Sequence, residues 1–316
     1  LGKGIVVREP SVVAIHSKSR DILAVGSDAQ AMLGKTPASI AAVRPLRHGV
    51  ISDFEVTERM LSYFIRKVHK SPTSLPRIPR PRVVVGIPSL VTEVEKRAVS
   101  DALRRAGARE SFLIQEPMAA AVGAGLPVEE AKGSMVVDIG GGTTEIAVIS
   151  LGGIIVGRSL KVAGDALDQA IVDYARKKYH LLLGERMAED TKIKLGEATK
   201  GKRREGTVRG RDLKTGLPKT VAVSSHEIGE AIADPLAAII ASVKDVLEDA
   251  PPELVPDILD QGITLAGGVA QLRGIEKRFV RELGAPVNVA KDPITCVVRG
   301  TGVVLEKKEL LKRISV

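Results

Sequence analysis

Apolar positions follow two different periods along this chain, and the points where the period switches mark out its elements. Val83 to Ile87 is a short unbroken apolar run closed by Pro88-Ser89, which predicts a buried strand. From Thr92 the spacing becomes helical: Val99, Ala102, Leu103 and Ala106 share one face. Thr92 and Glu95 stand at the spacing of a capping box, and Gly107 lies where a C-terminal cap belongs. An earlier helix begins at Asp53, with Val56, Met60, Leu61, Phe64, Ile65 and Val68 as its apolar stripe. The Pro- and Arg-rich stretch from Ser71 to Arg82 reads as a connector.

The central third opens with strand 135–139, a run of three glycines, and a second strand of alternating character over 143–150, which together predict a hairpin. A short strand near Ile154 to Val156 follows, then helices over Asp165 to Tyr179 and around Glu189 to Ala198. Residues 210–223 predict two strands around a turn. Ser225 to Leu247 predicts a long amphipathic helix interrupted at Asp234-Pro235, where the proline either kinks it or starts its second half. Residues 262–268 read as strand then turn, Leu272 to Leu283 as helix, and the remainder from Pro286 as a short strand and a terminal helix. Alternating strands and helices of this kind define an α/β architecture. No tandem repeat of solenoid length is present.

With 316 residues the chain can bury a large core, and its length favours two domains or one large duplex domain. Although 44% of residues are hydrophobic, no apolar run approaches the roughly 20 residues that span a bilayer. The first residues carry no secretory signal pattern, so a cytoplasmic location is the expectation. Cys296 is the one cysteine, which excludes an internal disulfide, and the five histidines show no metal-ligand spacing. The net charge of +9 concentrates at Arg77 to Arg82 and at Lys200 to Arg211, read here as solvated loops. An anionic membrane surface would also suit that balance. Nucleic acid is not expected as a partner, because aromatic residues, the platforms on which bases stack, are 2% of the chain.

Four segments carry chemistry. In Asp138 to Glu145 (DIGGGTTE), Gly140, Gly141 and Gly142 leave backbone N–H groups unshielded, so phosphate oxygens can approach; Asp138 at the strand end suits a hydrated magnesium ion, and Thr143 and Thr144 offer hydroxyls. The plainer alternative is a tight hairpin with Asp138 as its cap. In Leu265 to Ala270, Gly267 and Gly268 join a strand to a helix whose N-terminus would face negative charge, a junction also common in sites without ligands. Glu116 precedes Pro117 and a helix of small residues; its carboxylate could orient a water for attack on phosphorus, or merely complement the helix dipole. Glu189 and Lys192 share a helix face and could hold a ribose hydroxyl and an adenine edge, or simply pair with each other.

Taken together and in this order, EPMAAA, DIGGGTTE, AEDTKIKLG and LAGGVA resemble the nucleotide site of the actin, heat-shock chaperone and sugar kinase superfamily. The flanking text at 8–15, 44–61, 86–99, 210–219 and 251–268 is similar to the MreB family of bacterial actin homologues, and the resemblance covers essentially the whole chain. It implies an actin-like, ribonuclease H-like duplicated two-domain fold with a nucleotide cleft between the domains. One domain would comprise 1–133 with 286–316 and the other 134–285, with a smaller subdomain at about 161–225. It implies ATP and Mg2+ as cofactors. Phosphates would be held by Gly140 to Gly142 with Thr143 and Thr144, and the nucleoside by Glu189, Asp190, Thr191 and Lys192 together with Gly267, Gly268, Val269 and Ala270. Asp138 would serve magnesium and Glu116 the attacking water. It further implies slow ATP hydrolysis coupled to homopolymeric filaments at the inner face of the cytoplasmic membrane, and partnership with the cell-wall elongation machinery.

Two departures stand out. The family pattern opens with a strand and a first phosphate loop, and this chain starts after them, as a truncated or incomplete chain would. Val269 stands where relatives usually carry a third glycine. A chaperone-type ATPase, which predicts a peptide-binding domain, and a small-molecule kinase, which needs a catalytic base for which no motif appears, are the alternatives within the superfamily.

Overall fold

The computed structural model describes residues 4–47, 49–69 and 81–316, so most of the proline-rich connector and of the Arg77 to Arg82 cluster lies outside the described residues. The chain forms two compact units, one of residues 1–115 with 301–316 and one of residues 116–300.

The first unit begins with β1 (Val13–His16), β2 (Ile22–Val25), α1 (Ser27–Met32) and β3 (Ile40–Val43), whose strands form an antiparallel sheet in the order β2-β1-β3. A small hairpin of β4 (Leu46–Arg47) and β5 (Val50–Ile51) leads to α2 (Phe54–His69). Val13, Ile15 and Val25 bury against Val56 and Met60 of α2, which fixes that helix's inner face. Val68, assigned to the same stripe, is instead exposed, because the helix outruns the sheet that covers its first three turns. Next, β6 (Arg82–Ile87), α3 (Glu93–Arg105) and β7 (Glu110–Gln115) make a parallel βαβ unit. The capping box forms as expected: the Glu95 N–H donates to Thr92 Oγ1 at 3.2 Å and the Thr92 N–H to Glu95 Oε2 at 2.7 Å. Ala102, Leu103 and Ala106 of α3 are buried, and Gly107 takes a positive φ of 105° just past the C-cap.

The second unit opens with α4 (Glu116–Ala124) and then β8 (Ser134–Ile139), β9 (Thr144–Ser150) and β10 (Gly153–Leu160). Helix α5 (Gly164–Tyr179), β11 (Leu181–Leu182), α6 (Glu185–Leu195), β12 (Glu205–Asp212), β13 (Pro218–Ser224), α7 (Ser225–Ala231) and α8 (Ala233–Glu248) follow. Then come α9 (Val255–Gln261), β14 (Ile263–Ala266), α10 (Ile275–Leu283), β15 (Val287–Val289) and α11 (Cys296–Glu306), within which the chain returns to the first unit at Thr301, and then α12 (Lys308–Ile314). Two helices therefore close the chain, not one.

The central sheet runs β10-β9-β8-β14-β15, antiparallel from β10 to β8 and parallel from β8 to β15. Every residue of β8, β9 and β14 is buried, so the alternation in 143–150 does not mark a solvated face; both faces are covered. The small residues of α4 allow backbone to meet backbone: a Cβ on Gly123 would lie 1.8 Å from the Cys296 carbonyl oxygen, and one on Gly300 the same distance from that of Ala119. A second sheet, β11-β12-β13, is antiparallel; the basic segment is loop through residues 200–204, as expected, and strand from Glu205, with Arg209 and Arg211 exposed on β12. The break in the long helix falls at Ile232, which places Pro235 in the first turn of α8, where its missing N–H costs no intrahelical bond.

Candidate functional site

Strands β8 and β14 lie side by side in parallel, with Ala266 opposite Asp138, so their C-terminal ends share one edge of the sheet. Each runs straight into a glycine turn, Gly140 to Gly142 after β8 and Gly267-Gly268 after β14. Ligands of open α/β sheets bind beyond the carboxyl ends of strands, where connections diverge. Gly267 is held there by geometry: its φ is +83°, and a Cβ would sit 2.3 Å from the Ile139 carbonyl oxygen and 2.6 Å from Asp138 Oδ1.

The triple-glycine turn is clamped from behind. Its own N–H at Gly140 closes the turn onto the Thr143 carbonyl at 2.9 Å. The carbonyls of Gly140 and Gly141 accept from Gly164 and Asp165, the first residues of α5, at 3.1 and 2.7 Å. None of the three glycines needs positive φ. What matters at Gly141 is bareness, since a Cβ there would meet only Asp165 Oδ1 at 3.8 Å.

A pocket of about 350 Å³ opens in front of these turns, lined among others by Gly140, Gly141, Glu189, Lys192, Gly268 and Val269. The remaining expected residues fall around it. Gly267 and Ala270 lie beneath the lining, Ala270 only 2% exposed. Asp190 faces solvent, and Thr191 turns its hydroxyl back to the Met187 carbonyl at 2.6 Å, so neither belongs to the wall. Thr144 is fully buried and donates to the Val162 carbonyl at 2.7 Å, which spends its hydroxyl inside the protein. After Gly268 no α-helix begins: Val269–Gln271 is a single 3-10 turn and α10 starts only at Ile275, because Leu272 is extended and Gly274 takes a positive φ. The junction therefore presents backbone of a turn, not a helix N-terminus.

Three carboxylates gather behind the pocket. Glu145 stands opposite Asp138 across the β8–β9 ladder and accepts from Ser159 Oγ at 2.5 Å. Burial, reinforced by the Glu145 charge, pushes the Asp138 carboxyl up to about 7. Glu116, at the start of α4, is pushed up to about 8 by burial first, then by the charges of Asp138 and Glu145. Neither Glu116 nor Asp138 has a cationic side chain against it among the described residues. Among the described residues no group of three or more carboxylate, histidine or cysteine side chains is arranged to hold a metal ion directly.

Lys192 does not pair with Glu189. Its ammonium donates to Asp168 Oδ2 at 2.8 Å and to the Gly164 carbonyl at 3.0 Å, so it ties α6 to the first turn of α5. Asp168, Gly164 and Asp165 escaped the reading of the sequence, as did Gln271, Leu272, Arg273 and Ile294 of the wall. The available signal was Gly164-Asp165 at a predicted helix start, one strand downstream of the hairpin.

A mixed sheet whose neighbouring parallel strands end in two glycine turns over one pocket, backed by buried carboxylates, is the half-site of an actin-like fold. The sequence matches the MreB/Mbl protein family over residues 1–313. The chain is 52% identical to the cell shape-determining protein MreB of Escherichia coli K12 over 310 residues, 96% of this chain and 88% of that protein. It is 46% identical to the cell shape-determining protein Mbl of Bacillus subtilis 168 over 313 residues, 99% of this chain and 93% of that one. The crystal structure of MreB5 of Spiroplasma citri bound to ADP matches with a TM-score of 0.92 at 37% identity, covering 98% of this chain and 92% of its own. The chain belongs to the MreB/Mbl family.

Proposed function

We propose that this protein binds ATP with magnesium at the glycine turns, polymerises in its ATP state, and hydrolyses the nucleotide slowly. The filaments would lie against the inner face of the cytoplasmic membrane and direct cell-wall synthesis, maintaining cell shape. One observation carries the nucleotide reading: two glycine turns far apart in the chain meet at one edge of one sheet, in front of a pocket of nucleotide size. The relatives, cell shape-determining proteins and an ADP-bound MreB5, support the rest. Among the described residues no helix is long and apolar enough to cross a membrane; the +9 net charge would favour an anionic membrane surface.

The residues fit that ligand. Gly141 and Gly268 leave room for phosphate and sugar, and Glu189, Lys192 and Val269 wall the nucleoside side. Asp138, held at the strand end, would take the metal through its waters, and the chemistry that magnesium and ATP supply is transfer of the terminal phosphoryl group to water. Glu116 would orient that water: in the empty site burial and the Asp138 and Glu145 charges hold its carboxyl up at about 8, and a cation at Asp138 would draw it back toward the carboxylate form that accepts the water's hydrogen bond. Asp190, Thr191 and Thr144 take no direct part in this reading.

The test is ATP-dependent sedimentation alongside phosphate release for the parent and Glu116→Ala. The variant should still sediment with ATP while releasing phosphate about 100-fold more slowly, within the usual range for a positioned acid–base group. Equal hydrolysis by parent and variant removes Glu116 from this role; failure of the parent to sediment with ATP removes the filament reading.

A further inference from the structure

The Asp168–Lys192 pair is costly to keep. Both side chains are largely buried, at 15% and 14% exposure, and Asp168 Oδ1 is sealed from solvent with no hydrogen-bond partner. A buried ion pair is weak support for stability, and an unsatisfied carboxylate oxygen is a net loss. Burial pushes the Asp168 carboxyl up to about 6 despite the neighbouring ammonium, so the pair sits in a poor environment for charge. Packing alone does not account for it.

Its placement does. Lys192 lies on the pocket wall, and an ammonium has three N–H donors. Asp168 Oδ2 takes one and the Gly164 carbonyl another, and both acceptors lie on α5. Glu189, three residues back on α6 and lining the same pocket, is the competing partner, yet no ion pair joins it to Lys192 among the described residues. Gly164 in turn grips the triple-glycine turn through its N–H to the Gly140 carbonyl. The wall on α6 and the phosphate turn after β8 are thereby set in one frame.

We infer that Asp168 is a positioning residue: from α5 it holds the Lys192 ammonium away from Glu189, leaving one N–H of Lys192 and the whole Glu189 carboxylate free to engage the sugar of a bound nucleoside phosphate. This inference rests on the nucleotide reading proposed above. Without Asp168, Lys192 falls back onto Glu189 and both groups are lost to the ligand together.

The full chain carries the test, with ADP and its dideoxyribose analogue as probes in titration calorimetry. Lys192→Ala and Asp168→Ala should each weaken ADP by about tenfold, as expected for loss of a charge-assisted hydrogen bond, and the double variant should be no weaker than either alone. The parent should prefer ADP to the dideoxyribose analogue, and Asp168→Ala should erase that preference, which a merely structural role would leave in place. Asp168→Asn, nearly isosteric, should lose affinity in the same direction and serves where the alanine variant fails to fold. If both Asp168 variants bind ADP within about twofold of the parent while Lys192→Ala is weakened, the positioning role is overturned and the pocket reading stands. If Lys192→Ala also binds ADP like the parent, the nucleotide reading of this wall is what fails, and the inference falls with it.

Discussion

Replacing Gly267 by alanine should damage the protein more than any other single added methyl group around the pocket. Two costs combine. The residue's φ of +83° is a conformation that L side chains rarely adopt, worth about 1–2 kcal/mol. The new Cβ would also stand 2.3 Å from the Ile139 carbonyl oxygen and 2.5 Å from its carbon, backbone atoms that cannot rotate away. Relief requires the ends of β8 and β14 to part, and overpacking of this kind adds about 1–3 kcal/mol. A total of about 3 kcal/mol is expected, enough to consume a large part of a typical domain's stability. Two internal controls isolate the terms. Gly284 has a similar φ of +67° with nothing within 4 Å of a Cβ, so Gly284→Ala should show the backbone term alone. Gly268 has ordinary φ and a nearest contact of 3.6 Å to Ile294, so Gly268→Ala should be near neutral for the fold. Urea unfolding followed by circular dichroism, compared at unchanged m-value, measures all three. If Gly267→Ala costs no more than Gly284→Ala, the claim that the two turns are in backbone contact is wrong.

Stability of the nucleotide-free protein should fall as pH rises from about 4 to about 8. The Glu116 carboxyl moves from 4.5 to about 8 on folding and that of Asp138 from 3.8 to about 7, so across that window the folded state holds more protons than the unfolded chain. Glu116→Gln should flatten the profile and raise the melting temperature at pH 8 above that of the parent; a parallel profile for parent and variant would show that Glu116 is not buried as a neutral acid. Thr144→Val should cost about 1–3 kcal/mol in chemical denaturation, because it leaves the Val162 carbonyl unpaired inside the protein, yet leave ADP affinity unchanged. A loss of affinity without a loss of stability would put the Thr144 hydroxyl in the pocket after all.

The elements were legible wherever a local rule decided them. Thr92 and Glu95 cap α3 because the capping box is a contact between neighbours in sequence, and the β8–β9 hairpin follows from two apolar runs flanking glycine. What escaped was set by distant neighbours. Polar residues alternating through β9 suggest a solvated face, yet Thr144 and Glu145 point into covered space, where Val162 and Ser159 receive them. Glu189 and Lys192 three apart on one helix suggest each other as partners; that Lys192 chooses Asp168 depends on how α5 crosses α6, which periodicity on either helix cannot report. Gly267-Gly268 was read as a turn from strand into helix; the turn forms, but the helix expected after it is delayed by the extended Leu272 and by Gly274.

The edge where β8 meets β14 joins stretches of chain more than a hundred residues apart, with α5 to α9 threaded between them. Pairing across so great a sequence separation is slow to form, so late closure of this strand pair is the expectation. A partly folded chain, however much helix it has formed, holds only half of each ligand contact. A small molecule bound at this edge would select the finished molecule over a partly folded one, and by mass action its binding would hold the two strands together.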